Sequence, residues 1–231
     1  MNLSDRLIKI AGFIKKNTVV LDVGTDHGYI PIYLIENQIS KKIIASDISP
    51  DSLNKTIELV KKKGLEKNID SRLGDGLDVV NPFEVEGVIM AGMGGILIQN
   101  ILEKNKEVTN SIDYFIFQPM IASKELRQYL SRNKFKIIDE ELSKEGDKFY
   151  EILYVEKGFE NPKEEIYYEI SERLIEKKHP LLKEFIENKI KLINSVMEEL
   201  KDKTNKRSIE RYNELKIKTK QYMEVLNQVE T

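Results

Sequence analysis

Two acids and two glycines fall within seven residues at Asp22-Val23-Gly24-Thr25-Asp26-His27-Gly28. A backbone without Cβ at Gly24 and Gly28 can close on a ligand. The carboxylates of Asp22 and Asp26 set the sign of the charge it would accept. A dinucleotide turn places three glycines as G-x-G-x-x-G around a pyrophosphate. Here the position between the glycines is acidic. It repels a pyrophosphate and attracts an ammonium or a sulfonium, such as that of S-adenosylmethionine (SAM). An ordinary βα turn of another α/β protein is the alternative for this stretch alone.

Other polar residues recur where strands end. Lys42 to Asp47 (KIIASD) reads as a second strand closed by an acid 25 residues after Asp22. An acid there accepts hydrogen bonds from ribose hydroxyls. Its competing role is a helix cap, but Ser49 followed by Pro50 caps the helix Asp51 to Lys63 better and leaves Asp47 for a ligand. Asp75, in Gly74-Asp75-Gly76-Leu77 after the strand Ile69 to Leu73, can accept adenine amino hydrogens or sit in a solvated turn. Three glycines in Ala91-Gly92-Met93-Gly94-Gly95 predict a loop of close backbone approach.

These residues need a frame. Thr18 to Leu21 is a β-branched apolar run, a buried strand that Asp22 closes. Tyr29 to Leu34 continues as a helix, so the acidic turn is the strand–turn–helix opening of a doubly wound sheet. Leu3 to Lys16 has helical spacing, with Ser4 or Asn2 as cap and Arg6, Lys9, Lys15 and Lys16 as its wet side. Gly87 to Met90 is a fourth strand, followed by a helix Ile96 to Leu102. Tyr114 to Phe117 is a fifth strand that Gln118-Pro119 ends, followed by a helix Ala122 to Arg132. Phe135 to Leu142 and Phe149 to Val155, with a turn at Lys144 to Asp147, form a hairpin. Five βα units followed by an antiparallel hairpin predict the α/β, Rossmann-like class I sheet of a SAM-dependent methyltransferase.

From Glu160 glycine disappears and the pattern turns helical. Asn161-Pro162 predicts a helix start, and His179-Pro180 an interruption. Leu182, Ile186, Lys189 or Ile190, Ile193, Met197 and Leu200 form one stripe at heptad-like spacing. Ile209, Tyr212, Leu215, Thr219, Tyr222, Leu226 and Val229 form another. Two stripes around a polar break predict a C-terminal coiled-coil hairpin. Packing on the first domain or a dimer contact would use the same stripes. The expected domains are 1–158, catalytic, and 159–231, helical. The tip, Lys201 to Arg211, is basic: either a solvated end or a phosphate contact.

Composition narrows the partners. The 231 residues carry 37 Lys and Arg against 39 Asp and Glu, a net charge of −2, so total charge gives no nucleic-acid signal. With no cysteine and only His27 and His179, disulfides and thiolate metal sites are excluded and no metal is expected. No apolar run reaches membrane-spanning length, and the expectation is a cytoplasmic monomer with a dimer as the alternative.

Together the strings T-D-H-G-Y-I-P, A-G-M-G-G, F-Q-P with Glu125-Leu126-Arg127, and Lys148-Phe149-Tyr150-Glu151-Ile152 resemble the bacterial TrmK family over essentially the full chain. That family comprises SAM-dependent tRNA methyltransferases acting on N1 of adenine 22 in the D-arm, with a coiled coil after a Rossmann-like domain. The resemblance implies that Asp22, Gly24, Thr25, Asp26, His27 and Gly28 form the cofactor loop. It implies that Asp47 and Ile48 take the ribose, and that Asp75 and Gly76 flank the adenine. Ala91, Gly92, Met93 and Gly94 would line the methionine end and the substrate side, with Gln118 beside them.

Asp26 is the candidate catalytic carboxylate for a cationic methyl group and product. His27 would orient it or contact the base, and Tyr29 would stack on the base. Plain support of the turn is the alternative for both rings. No Asn-Pro-Pro-Tyr motif follows the fourth strand, which fits a ring nitrogen better than an exocyclic amine. A methyltransferase for a small molecule or protein, and a nucleotide-binding scaffold, are the competing readings.

Overall fold

The computed structural model describes residues 3–230. Asn2, one of the two expected caps, lies outside them. The chain divides into two compact units, Met1–Asn161 and Pro162–Thr231.

The first unit is a seven-stranded sheet in the order β3-β2-β1-β4-β5-β7-β6. Its strands are β1 (Val19–Val23), β2 (Lys42–Asp47), β3 (Ile69–Leu73), β4 (Gly87–Gly94), β5 (Tyr114–Ile121), β6 (Phe135–Glu145) and β7 (Lys148–Lys157). The first five are parallel, and β7 runs antiparallel between β5 and β6. The expected methyltransferase sheet is therefore present.

The central strands are apolar throughout because both faces are covered. Leu21, Ile44, Val88, Met90, Phe115 and Phe117 point to one core, packed with Ile98, Ile101, Leu126 and Leu130. These four come from α4 (Gly95–Lys104) and α6 (Ser123–Arg132). Val20, Ile43, Ile89, Tyr114 and Ile116 point to the other, packed with Ile10, Ala11, Ile30 and Leu34. Those come from α1 (Asp5–Gly12) and α2 (Tyr29–Glu36). The order reverses at β1, which pairs with β2 on one side and β4 on the other, so a crevice opens at their carboxyl ends.

Several boundaries differ from expectation. Asp22 lies inside β1 rather than closing it. A-G-M-G-G is mostly not a loop: β4 runs through Gly94, paired with β5 across two register shifts. β5 likewise passes Gln118-Pro119 to Ile121. Pro119 is tolerated because the shifted ladder there asks less of its missing N–H. Ser4 stands at the start of α1 but its side chain makes no capping bond. Ser49 does cap α3 (Pro50–Lys63), accepting from the Ser52 N–H with Pro50 in the first turn.

The second unit begins without the expected helix at Asn161-Pro162. A short 3-10 turn, Glu165–Tyr168, comes first, then α7 (Glu172–Glu176), α8 (Leu182–Leu200) and α9 (Lys206–Glu230); α5 (Lys106–Ser111) belongs to the first unit. α8 and α9 pack together around a turn at residues 201–205. Leu182, Phe185, Ile186, Leu215, Tyr222 and Val225 are buried, all away from that turn. The Tyr222 hydroxyl and the Lys218 ammonium both bind the Glu169 carboxylate.

Candidate active site

The acidic turn is built by three left-handed residues in five. Gly24, Asp26 and Gly28 have φ of 72°, 51° and 69°. Only Asp26 carries a side chain there, and aspartate tolerates that region better than most residues. The turn is tied to β2: the Gly24 and Thr25 amides both donate to the Ser46 carbonyl, at 2.8 and 2.9 Å. It is tied to α3 by the Thr56 hydroxyl, 3.0 Å from the Asp26 carbonyl. A Cβ on Gly28 would stand 2.7 Å from Thr56 Cγ2, so glycine is required on two grounds.

That backbone presents three side chains together. Asp26 Oδ2 lies 2.7 Å from His27 Nδ1. The His27 ring stacks on Tyr29, centroids 5.2 Å apart and planes 14° from parallel. Lys55 approaches Asp26 at 4.0 Å. Asp22 lies beneath them, buried. Desolvation pushes its carboxyl up to about 6, with the nearby Asp47 charge adding to the effect and Thr25 opposing it.

A cleft of about 260 Å³ runs over the turn. Of the expected residues, Asp22, Gly24, Thr25, Asp26, His27, Tyr29, Ala91 and Gly92 line it. Met93, expected at the cleft, does not line it but packs against the turn: a Cβ on Gly24 would stand 2.6 Å from its Cε. Asp47 adjoins the turn rather than lining the cleft. Its two carboxylate oxygens accept from the Asp26 N–H at 3.3 Å and the Ser49 N–H at 2.8 Å. Asp47 is thus not free of protein partners, although a carboxylate has lone pairs to spare.

Ile48 beside it is 70% exposed. Asp75 pairs with Lys104 at 2.6 Å, and Lys104 also reaches Asp78. Gly76 is buried and left-handed, with Ile101 where its Cβ would be. Gly94 packs beneath Ile121. Gln118 is wholly buried, and its carboxamide oxygen accepts from Arg6 Nη1 at 2.7 Å and the Gly92 N–H at 3.2 Å. It braces the cleft wall from behind.

Two residues in this region were not among the expected site residues: Lys104, and Arg6, which was expected on the wet side of the first helix but bonds the buried Gln118 instead. Arg6 lines the cleft from α1. It falls four residues before the fully buried Ile10 and next to Leu7, a spacing that flanks the packed stripe. Among the described residues no group of three or more His, Asp or Glu is placed to hold a metal ion, and no helix is long and apolar enough to cross a membrane.

Residues 3–153 match the family model of a methyltransferase domain. The chain is 36% identical over 158 residues to the tRNA (adenine(22)-N(1))-methyltransferase of Bacillus subtilis, a match that covers 68% of this chain and 66% of that one, just under two thirds of its length. The chain belongs to the TrmK family of methyltransferases.

Solved structures of that family extend the likeness to the whole chain. The B. subtilis M1A22 tRNA methyltransferase TrmK superposes with a TM-score of 0.88 at 28% identity, covering 97% of this chain and 99% of that one. TrmK of M. capricolum, in complex with the natural cofactor product S-adenosyl-homocysteine, superposes with a TM-score of 0.84 at 27% identity, covering 98% and 99%.

Two of the strings that suggested TrmK meet in space. Arg127 on α6 is buried and bidentate to Glu140 on β6, at 2.6 and 2.7 Å, and bonds Glu151 on β7 at 2.8 Å. Ser123 closes the cluster on Glu151 at 3.0 Å. The two carboxylates hold Arg127 well above the usual arginine range despite its desolvation. In this member of the TrmK family the cluster locks α6 onto the hairpin, which fixes the end of β5 and so Gln118.

Proposed function

We propose that this chain transfers the methyl group of SAM to N1 of adenine 22 in the D-arm of tRNA. The observation that carries this reading is the acidic left-handed turn at the sheet's switch point, with Asp26, His27 and Tyr29 facing the cleft. The charge in that cleft suits the donor: the carboxylates of Asp22 and Asp26 outnumber the one guanidinium, Arg6, that lines it with them.

When bound, SAM supplies an electrophilic methyl group on a positive sulfur. Adenine N1 has an in-plane lone pair, so the chain need not supply a base before attack. Its work is alignment of the acceptor and stabilisation of the charge that moves onto the base. Asp26 is the group we assign to that charge, since methylated N1 leaves the adenine cationic. His27 holds the Asp26 carboxylate in place through Nδ1. Tyr29, stacked behind His27, fixes the imidazole plane and offers a ring edge to an unstacked base.

We assign the catalytic work to residues 1–158, with Asp47, Ile48, Asp75 and Gly76 as the nucleoside rim, and tRNA contacts to residues 159–231. The basic tip around Lys201 to Arg211 is the segment suited to phosphates. We take the enzyme to act as a cytoplasmic monomer. Mass-spectrometric mapping of tRNA incubated with enzyme and SAM tests the reading. A single new methyl at adenine 22 that stops reverse transcription is the expected result. A methyl on another base, or on extract proteins or small molecules alone, would overturn it.

A further inference from the structure

β4 and β5 slip past each other twice at the cleft wall. Ala91 pairs with Gln118, Met93 with Pro119 and Gly94 with Ile121, so the ladder skips Gly92 on β4 and Met120 on β5. Irregularities of this kind re-aim side chains beside active sites. Gly92, with φ of 75°, lines the cleft. Gln118 joins the two slips. Its oxygen accepts from the Gly92 N–H at 3.2 Å, and its nitrogen donates to Met120 Sδ at 3.6 Å. Met120 is thus tied to the cleft wall, yet it is 48% exposed and its neighbour Ile121 is 72% exposed. The six residues of β5 before them are all buried. Ile96 and Leu97, in the first turn of α4, are exposed as well. Gly94 pairs with Ile121, and Gly95 abuts the Ala122 carbonyl, so these apolar side chains belong to one corner of the sheet.

Strand order decides which ligand that corner suits. The nucleoside rim assigned above, Asp47, Ile48, Asp75 and Gly76, follows β2 and β3 on one flank of β1. β4 and β5 lie on the other flank, so a donor held by that rim leaves the β5 side to the acceptor. A thioether and a branched alkyl group offer nothing to a phosphate or a ribose, but they fit the face of a purine. Neither A-G-M-G-G nor the Gln118-Pro119-Met120-Ile121 run holds an aromatic ring to do that stacking. We propose that Met120 and Ile121 form the face on which the acceptor adenine lies once it has left its stack. This inference rests on the tRNA methyltransferase reading above and names acceptor-binding residues within that site.

The test is a double-mutant cycle between protein and tRNA, read by filter binding with S-adenosyl-homocysteine present so that no turnover occurs. One tRNA transcript carries adenosine at position 22 and the other an abasic residue there. The ratio of the two affinities is measured for the wild type and for Met120→Ser/Ile121→Ser. Taking the change in that ratio cancels the cost of unstacking the base. The double variant is expected to shift the ratio against the adenosine transcript by about five- to thirtyfold, the lower part of the range for one base-stacking contact. Its SAM affinity by calorimetry should match wild type, and Met120→Leu should restore part of the loss. Gln118 keeps the Pro119 carbonyl, 3.0 Å from its nitrogen, when the sulfur is gone. Should the double variant melt early, Ile121→Ser at the more exposed position carries the same comparison. An unchanged ratio overturns the proposal. So does a parallel loss of SAM affinity, which would make the pair a cofactor wall. A variant that alters only the oligomeric state would assign the corner to a second copy of the chain and overturn it too. Wild-type protein that methylates adenine 22 while the ratio stays fixed sinks this inference alone, whereas wild-type protein that leaves adenine 22 unmethylated sinks the reading beneath it.

Discussion

The Asp26 carboxylate and the His27 imidazole are consecutive residues whose side chains meet at 2.7 Å, because a left-handed φ at Asp26 turns both toward the same mouth. With the Asp26 side chain 61% exposed, its role in packing is small. Asp26→Ala should therefore lower kcat by about 10- to 1000-fold, the range for removing one electrostatic stabiliser. Its melting temperature should stay within a few degrees of wild type. Single-turnover methylation and a thermal melt on the same preparation check both halves, and wild-type turnover would remove Asp26 from the mechanism.

Asp22 gives a pH signature. Its carboxyl rises to about 6 in the folded chain from 3.8, chiefly by burial. Below about pH 4 both folded and unfolded chains hold the proton and burial costs nothing. Between 4 and 6 the unfolded chain ionises first and stability falls. Above 6 the full cost is about 3 kcal/mol. Asp22→Asn should abolish that dependence and stabilise the ligand-free protein near pH 7.5, as urea melts across pH would show.

The same ionisation bears on the donor. A cationic ligand prefers the charged Asp22, so binding should release a proton as pH drops below about 6. SAM affinity should then weaken by up to about tenfold for each further unit. Calorimetry in buffers of different ionisation enthalpy reads the proton count directly. A flat affinity from pH 5 to 8 would mean that Asp22 does not sense the donor.

Arg127 makes a stability prediction. Arg127→Met removes the guanidinium that joins the buried Glu140 to the half-buried Glu151. The expected loss is about 3–5 kcal/mol. Because the cluster anchors α6 to the hairpin, the loss should appear in the unfolding midpoint of the first unit. A loss below about 1 kcal/mol would mean that the cluster opens to water.

The helical tail makes a binding prediction. Neutralising Lys201, Lys203, Lys206 and Arg207 should flatten the salt dependence of tRNA affinity, by roughly 0.9 in log–log slope for each phosphate contact removed. SAM affinity should not change. An unaltered slope in a filter-binding titration would assign the tRNA contacts elsewhere.

The frame was legible because its signals are local. β-branched runs marked β1 and β2, Ser49-Pro50 marked the start of α3, and two glycines around an acid marked the turn. The continuation of β4 through A-G-M-G-G was not, since glycines read as a loop until a neighbouring strand supplies the ladder. Asn161-Pro162 has the local chemistry of a helix start, yet the chain stays irregular until Glu165. Arg6 was invisible for another reason. Its partner Gln118 is 112 residues away, and nothing near Arg6 separates an arginine in water from one that roofs a cleft.

A side chain on Gly95 would begin 2.2 Å from the Ala122 carbonyl oxygen and 3.1 Å from Leu126 Cβ. The obstacle is main chain, which cannot swing aside as a methionine tip can. Anyone diversifying A-G-M-G-G to retune acceptor choice thus inherits one immovable letter. Met93 can be varied in size, whereas even a methyl group at 95 would prise the start of α4 from the start of α6 and unseat the rim being engineered.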